Sequence, residues 1–162
     1  MLTKDVNLRV GVANNFEADE EVCQAFKTAV EQIRDLGYST RNVAVPLHHP
    51  VNDLSKIEID RGSIVSEAFR DVDVLVLPTT VTTVPTIEEA REDSQALSAA
   101  NTVFANYYGL PVISIPSGFD RNGLPFWLQI IGESWDDAGV LHLAYRYEMA
   151  TTWASMRPGL WG

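Results

Sequence analysis

The sequence predicts an α/β fold, a mixed parallel and antiparallel sheet with helices packed on it. Three observations carry that expectation. Residues 8–46 read strand, helix, strand, the pattern of a parallel pair joined by a crossover. "DVLVLP" (73–78) is nearly continuous apolar and β-branched, as an interior strand covered on both faces is. "GLPVISIPSGFDRNGLPFWLQIIG" (109–132) reads as two apolar strands joined by a tight turn, with a polar rim of Ser114, Ser117, Asp120, Arg121 and Asn122 that suggests half of a ligand-handling element.

The elements follow in order. "LRVGVA" (8–13) alternates Leu8, Val10 and Val12 with Arg9, Gly11 and Ala13, a half-buried strand. Val22, Phe26, Ala29, Val30 and Ile33 share one helical face, and Gly37 is placed to stop that helix. "STRNVAVP" (39–46) is the second strand, and 47–56 is a connector. "LSKIEIDRGSIVSEAFRDV" (54–72) reads as a helix by Ile57, Ile64, Val65, Ala68 and Phe69, weakened by Gly62. After strand 73–78, the threonines and prolines of 79–93 predict a long ordered loop without a regular element. A helix over about 94–107 carries Leu97, Ala100, Val103, Phe104 and Tyr107. Asn122-Gly123 predicts a type I′ hairpin between strands 111–116 and 125–131, both covered on two sides. In "SWDD", Ser134 is the expected cap of a last helix running through Val140, Leu141, Ala144 and Tyr147 to about Trp153.

At 162 residues and 46% apolar composition, one domain spanning 1–162 is expected. Within it lie the β-α-β segment 8–46, the connector 47–56 and a segment 57–158. The net charge of −10, from 22 acids against 12 bases, argues against a nucleic-acid surface. No apolar run approaches the roughly 20 residues of a membrane span, and no secretory leader is visible at the start. The single cysteine, Cys23, reads as a small buried hydrophobe and fits a reducing cytoplasm.

Catalytic constellations are sparse. The G-x-S-x-G elbow, S-x-x-K and both glycine-rich phosphate loops are missing from the chain. Ser55 and Lys56 are neighbours that a helix points about 100° apart. His48 and His49 with Asp53 form at most a partial metal site, so neither metal nor cofactor is expected. His142, in the last helix, reads as structural. The strongest local hint is "PTTVTTVP", which leaves the carboxyl end of an interior strand, where open α/β sheets gather ligands. Thr79, Thr80, Thr82 and Thr83 either line a polar pocket there or brace the loop through bonds to its backbone.

Several spaced patterns agree in order with one known family. "DVDVLVLPTTVTTVPTI", "NTVFANYYGLPVISIPSGFDRNGLPFWLQIIGESWDDAGVLHLAYRYEMATTW" and the closing "RP" resemble the C-terminal part of the amidase signature family. That family includes bacterial amidases and the A subunit of glutamyl-tRNA(Gln) amidotransferase. The resemblance covers residues 71–158, and "LRVGV … DLGYSTRNVAVP" is similar to the strand–helix–strand segment that precedes it in the family. It implies an amide-bond (C–N) hydrolase fold whose two serines, lysine and Gly/Ser-rich oxyanion loop lie in an N-terminal half. Those catalytic residues carry over to no position here. What carries over is a wall of the substrate cleft: the loop Pro78–Thr83, Asn106 and Gln129. Trp127 stands where the family pattern has glycine, and Ala99 where glutamine-hydrolysing members carry aspartate. The chain is therefore expected to be inactive alone, as a truncated, fragmentary or split enzyme. The alternative is a non-catalytic, self-associating binding or structural module. Its expected partner is a second copy or an N-terminal amidase half in trans.

Overall fold

Alternation at the start of the chain produces the expected parallel unit. The computed structural model describes residues 7–47, 54–93 and 96–156. β1 (Arg9–Ala13) and β2 (Ser39–Val43) pair in parallel, Arg9 opposite Ser39 and Ala13 opposite Val43. Between them, α1 (Glu20–Asp35) buries Val22, Phe26, Ala29, Val30 and Ile33, the face its apolar spacing marks. Asp19 caps that helix by accepting from the Val22 amide at 2.8 Å, and Glu20 and Glu21 suit the positive end of its dipole. Gly37 follows at φ +90°, a backbone that glycine adopts without strain.

The stretch expected as one helix over 54–72 is broken. A 3₁₀ turn (54–56) leads into α2 (Ile57–Asp60), a π turn over Arg61–Val65 and α3 (Ser66–Ala68). Gly62 sits inside the π turn, where its low helix propensity makes the break cheapest. β3 (Val74–Pro78) is buried along its whole length and lies parallel to β1, Val10 opposite Val74.

β4 (Val112–Phe119) and β5 (Pro125–Gly132) form the antiparallel hairpin, and β5 pairs with β3. The sheet order is β2-β1-β3-β5-β4. One face carries Val10, Val12, Val74, Val76, Ile115, Leu128 and Ile130 against α1 and the last helix. The other carries Leu75, Leu77 and Ile131 against Val65, Ala68, Phe69, Phe104 and Tyr108.

Local expectations fail in several places, each for a visible reason. The hairpin is not type I′, because Gly123 (φ +79°) has left-handed backbone but Asn122 does not. Instead the Gly123 amide donates to the Asp120 carbonyl at 3.0 Å, and the Asp120 amide to the Leu124 carbonyl at 2.8 Å. That is a type I turn closed by a glycine bulge, and Asp120 Oδ1 braces it by accepting from the Asn122 and Leu124 amides. β4 is not covered on both sides; it is the sheet's edge, with Val112 41% exposed and Ser114 open to solvent.

The loop over 79–93 contains α4 (Ile87–Glu92), started by a capping box in which Thr86 and Glu89 satisfy each other's amides. Of the helix expected over about 94–107, the described residues 96–107 hold only α5 (Val103–Tyr108), and Leu97 is exposed. Its earlier extension is prevented because the Asn101 carbonyl accepts from the Gln129 side chain at 2.9 Å. The last helix, α6 (Asp137–Ala150), starts after Asp136, whose side chain accepts from the Gly139 amide at 3.0 Å. Ser134 does not cap it, since Trp135 (φ +73°) turns the chain out of helical backbone first. Leu141 faces out and His142 faces in, packed edge-on against Tyr38. Cys23 is half-buried, its Sγ 3.7 Å from the Ala18 carbonyl oxygen.

Candidate functional site

The carboxyl ends of β1 and β3 meet at the point where the chain order turns back across the sheet. From β1 the chain passes to β2 on one side; β3 then pairs on β1's other side. Helices leaving such neighbours on opposite faces leave a crevice between them. Here the crevice is bridged by backbone, with the Asp19 amide donating to the Val81 carbonyl at 2.8 Å.

Thr79 continues the register of β3 by one residue, its amide donating to the Trp127 carbonyl at 3.0 Å. Alternation puts its side chain on the face of Leu75 and Leu77. Ser114, on β4, is opposite Gln129 on β5, which is itself opposite Leu77. Across β5 the Thr79 and Ser114 hydroxyls are 2.6 Å apart, a short bond in which either can donate. This pair is the polar centre of the uncovered half of the face.

Gln129, on the same face, leads to a second buried polar residue, Asn101. Asn101 is wholly buried, donates from Nδ2 to the Glu17 carbonyl at 2.8 Å and accepts at Oδ1 from the Glu17 amide at 3.3 Å. Gln129, 3% exposed, spends its side-chain N–H on the Asn101 carbonyl. These bonds fix the β1–α1 loop and the segment leading into α5 to the middle of the sheet. Asn101 is absent from the residues singled out by sequence, although it opens the quoted stretch "NTVFANYYGLP".

Of the six residues expected to line a cleft, the structure joins Thr79 and Gln129 to this group. Thr80 and Thr83 are half-buried and Thr82 is exposed, all without side-chain hydrogen bonds among the described residues. Asn106 lies on the exposed side of α5 and makes no bond to the group. Trp127 is half-buried on the strand between Thr79 and Ser114. Ala99 is exposed, its carbonyl accepting from the Thr102 and Val103 amides.

Chemically, two hydroxyls and an amide can orient a polar ligand by hydrogen bonds. Among the described residues the two hydroxyls bond each other and no base, so neither is an activated nucleophile. Among the described residues, no cluster of three His, Cys, Asp or Glu could hold a metal ion. His48, His49 and Asp53 lie outside the described residues.

Comparison with known proteins bears on this geometry. Residues 63–141 match the family described as Amidase. The A subunit of glutamyl-tRNA(Gln) amidotransferase from Synechococcus elongatus is 50% identical over 95 residues, which are 57% of this chain and 20% of that protein. The corresponding subunit from Microcystis aeruginosa is 41% identical over 110 residues, 67% of this chain and 22% of its own length. The matched region thus spans about a fifth of the curated relatives. Among solved structures, 6-aminohexanoate cyclic dimer hydrolase complexed with substrate superposes with a TM-score of 0.81 at 19% identity, covering 99% of this chain and 48% of that one. The A subunit from Thermotoga maritima superposes with a TM-score of 0.65 at 20% identity, covering 87% of this chain and 42% of its own. At these identities the superpositions speak for the fold.

Proposed function

We propose that this chain, which carries the C-terminal part of the amidase signature fold, forms one wall of an amide-binding cleft and does not hydrolyse amides by itself. The observation that carries the reading is the Thr79–Ser114 hydroxyl pair on the open half of the sheet face, beside buried Gln129, whose side chain is bonded to the Asn101 carbonyl. Such a pair orients a carbonyl or amide N–H, and the attacking serine and its base come from residues outside this chain's described surface. No cofactor is called for. A reducing cytoplasm suits the lone cysteine, and among the described residues no helix is long and apolar enough to cross a membrane.

The test is hydrolysis of a simple acyl anilide by the purified chain. The expected rate is that of the buffer blank. Turnover that survives purification and disappears in Thr79→Val would sink the reading, because this wall would then be a complete active site.

A second reading, a self-associating module with no amide chemistry, is favoured by β4. Its apolar edge "VISI" is unpaired among the described residues, and a second copy would cover it. The two readings share that edge and differ in what meets it.

A further inference from the structure

On the opposite face of the sheet from the hydroxyl pair, a β-bulge aims a serine into a cavity. In β4, Pro116 is opposite Trp127 and Gly118 is opposite Phe126, so Ser117 has no partner on β5. Bulges of this kind bend a strand and redirect the extra side chain. Ser117 is 4% exposed, yet its hydroxyl makes no hydrogen bond to any described residue. The residue is buried as a whole, but its Oγ is not sealed off: it lies at the wall of a cavity, where a ligand can reach it and supply the bond the protein does not.

The cavity, about 380 Å³, lies between α1, the hairpin end and the turn that follows α6. That volume is at the lower end of the range for small-molecule sites. Its walls include Ala25 on α1 and three aromatic rings, Phe119, Phe126 and Trp153, with Gln24, Thr28 and Asp120 also lining it. The Phe119 and Trp153 rings stand 6.0 Å apart at 59°, an opening angle that leaves ring faces and edges for a third ring. Charges of both signs, Glu21 and Arg121, stand exposed at the rim, where they select little.

We propose that this cavity is a second binding site, separate from the cleft wall, for a single-ring aromatic molecule bearing one neutral hydrogen-bonding group. The ring packs among Phe119, Phe126 and Trp153, and its hydroxyl or amide completes the bonding of Ser117. Nothing in the proposal depends on amide hydrolysis, since the cavity and the Thr79–Ser114 pair are on opposite faces.

The test is a titration of the ¹⁵N-labelled chain with benzyl alcohol, with cyclohexylmethanol as the aliphatic ring carrying the same hydroxyl. Saturable shifts are expected at the amides of residues 117–121 and at the Trp153 indole N–H, with cyclohexylmethanol weaker. Ser117→Ala should weaken benzyl alcohol roughly fivefold, the worth of one hydrogen bond. Ala25→Trp, at a half-buried position on the cavity wall, should abolish the shifts while leaving the remaining spectrum folded. Binding indifferent to both substitutions, shifts that never saturate, or shifts led by Thr79 and Ser114 would each overturn the proposal.

Discussion

Tyr147 joins the last helix to the first through a single buried bond. Its hydroxyl donates to Gln32 Oε1 at 2.6 Å, and the residue is completely buried. Burial disfavours the phenolate and pushes the side-chain pKa up to about 12. In an unfolded chain the phenol ionises near the usual value of about 10. Between those values the unfolded state releases a proton that the folded state keeps, so stability is complete below pH 10 and falls as pH rises towards 12. The loss is on the order of 2 kcal/mol. Tyr147→Phe should lower stability by about 1 kcal/mol at pH 7 through the lost bond. Urea denaturation at pH 7 and pH 11 should then show the variant losing less than the wild type on going alkaline. An equal loss in both proteins would place the alkaline sensitivity elsewhere.

At the scale of elements, Gly11 shows how a residue with no catalytic signature constrains the sheet. It stands within β1, where an added Cβ would meet Leu75 Cδ2 at 2.7 Å, Val72 Cγ2 at 3.0 Å and Val43 Cγ2 at 3.1 Å. Leu75 is fully buried in the second core and cannot swing away. Gly11→Ala should therefore destabilise by about 1–3 kcal/mol, read as a lower urea midpoint with an unchanged slope. A neutral effect would mean that the contact between β1 and the turn before β3 is looser than these distances indicate.

The same elements show what the sequence could reveal. The five buried positions of α1 and all of β3 were legible because apolar periodicity reports burial directly. α5 and the start of α6 were not, because competing bonds decide them. Asn101 gives its carbonyl to a side chain 28 residues away, and Trp135 departs from helical backbone before α6 begins. The hydroxyl pair was half legible. Thr79 sits where strand ends collect ligands and Ser114 belongs to the polar rim of 109–132, but the register of β4 on β5 that brings the two together is encoded by no local pattern.

The molecule as a whole leaves its two sheet edges in different conditions. β2, at one edge, reads "STRNV" and carries an arginine, a composition that discourages another strand from pairing. β4, at the other, begins "VISI", and the proline and bulge that would blunt an edge come only in its second half. Val112, its first residue, is 41% exposed. An edge built in this way is stable when something pairs with it, whether a second copy or another segment of an amidase fold. Light scattering over a dilution series should accordingly find the isolated chain as a dimer. Val112→Lys places a charge on that edge at a position already open to water, so the fold should survive while the dimer is lost. A dimer indifferent to Val112→Lys would move the interface to another surface, with α6's exposed Leu141, Tyr145 and Met149 the next to substitute. A stable monomer with unchanged solubility would mean that this edge is protected without a partner. The self-associating reading would then fall, leaving the wall of a cleft completed by other residues.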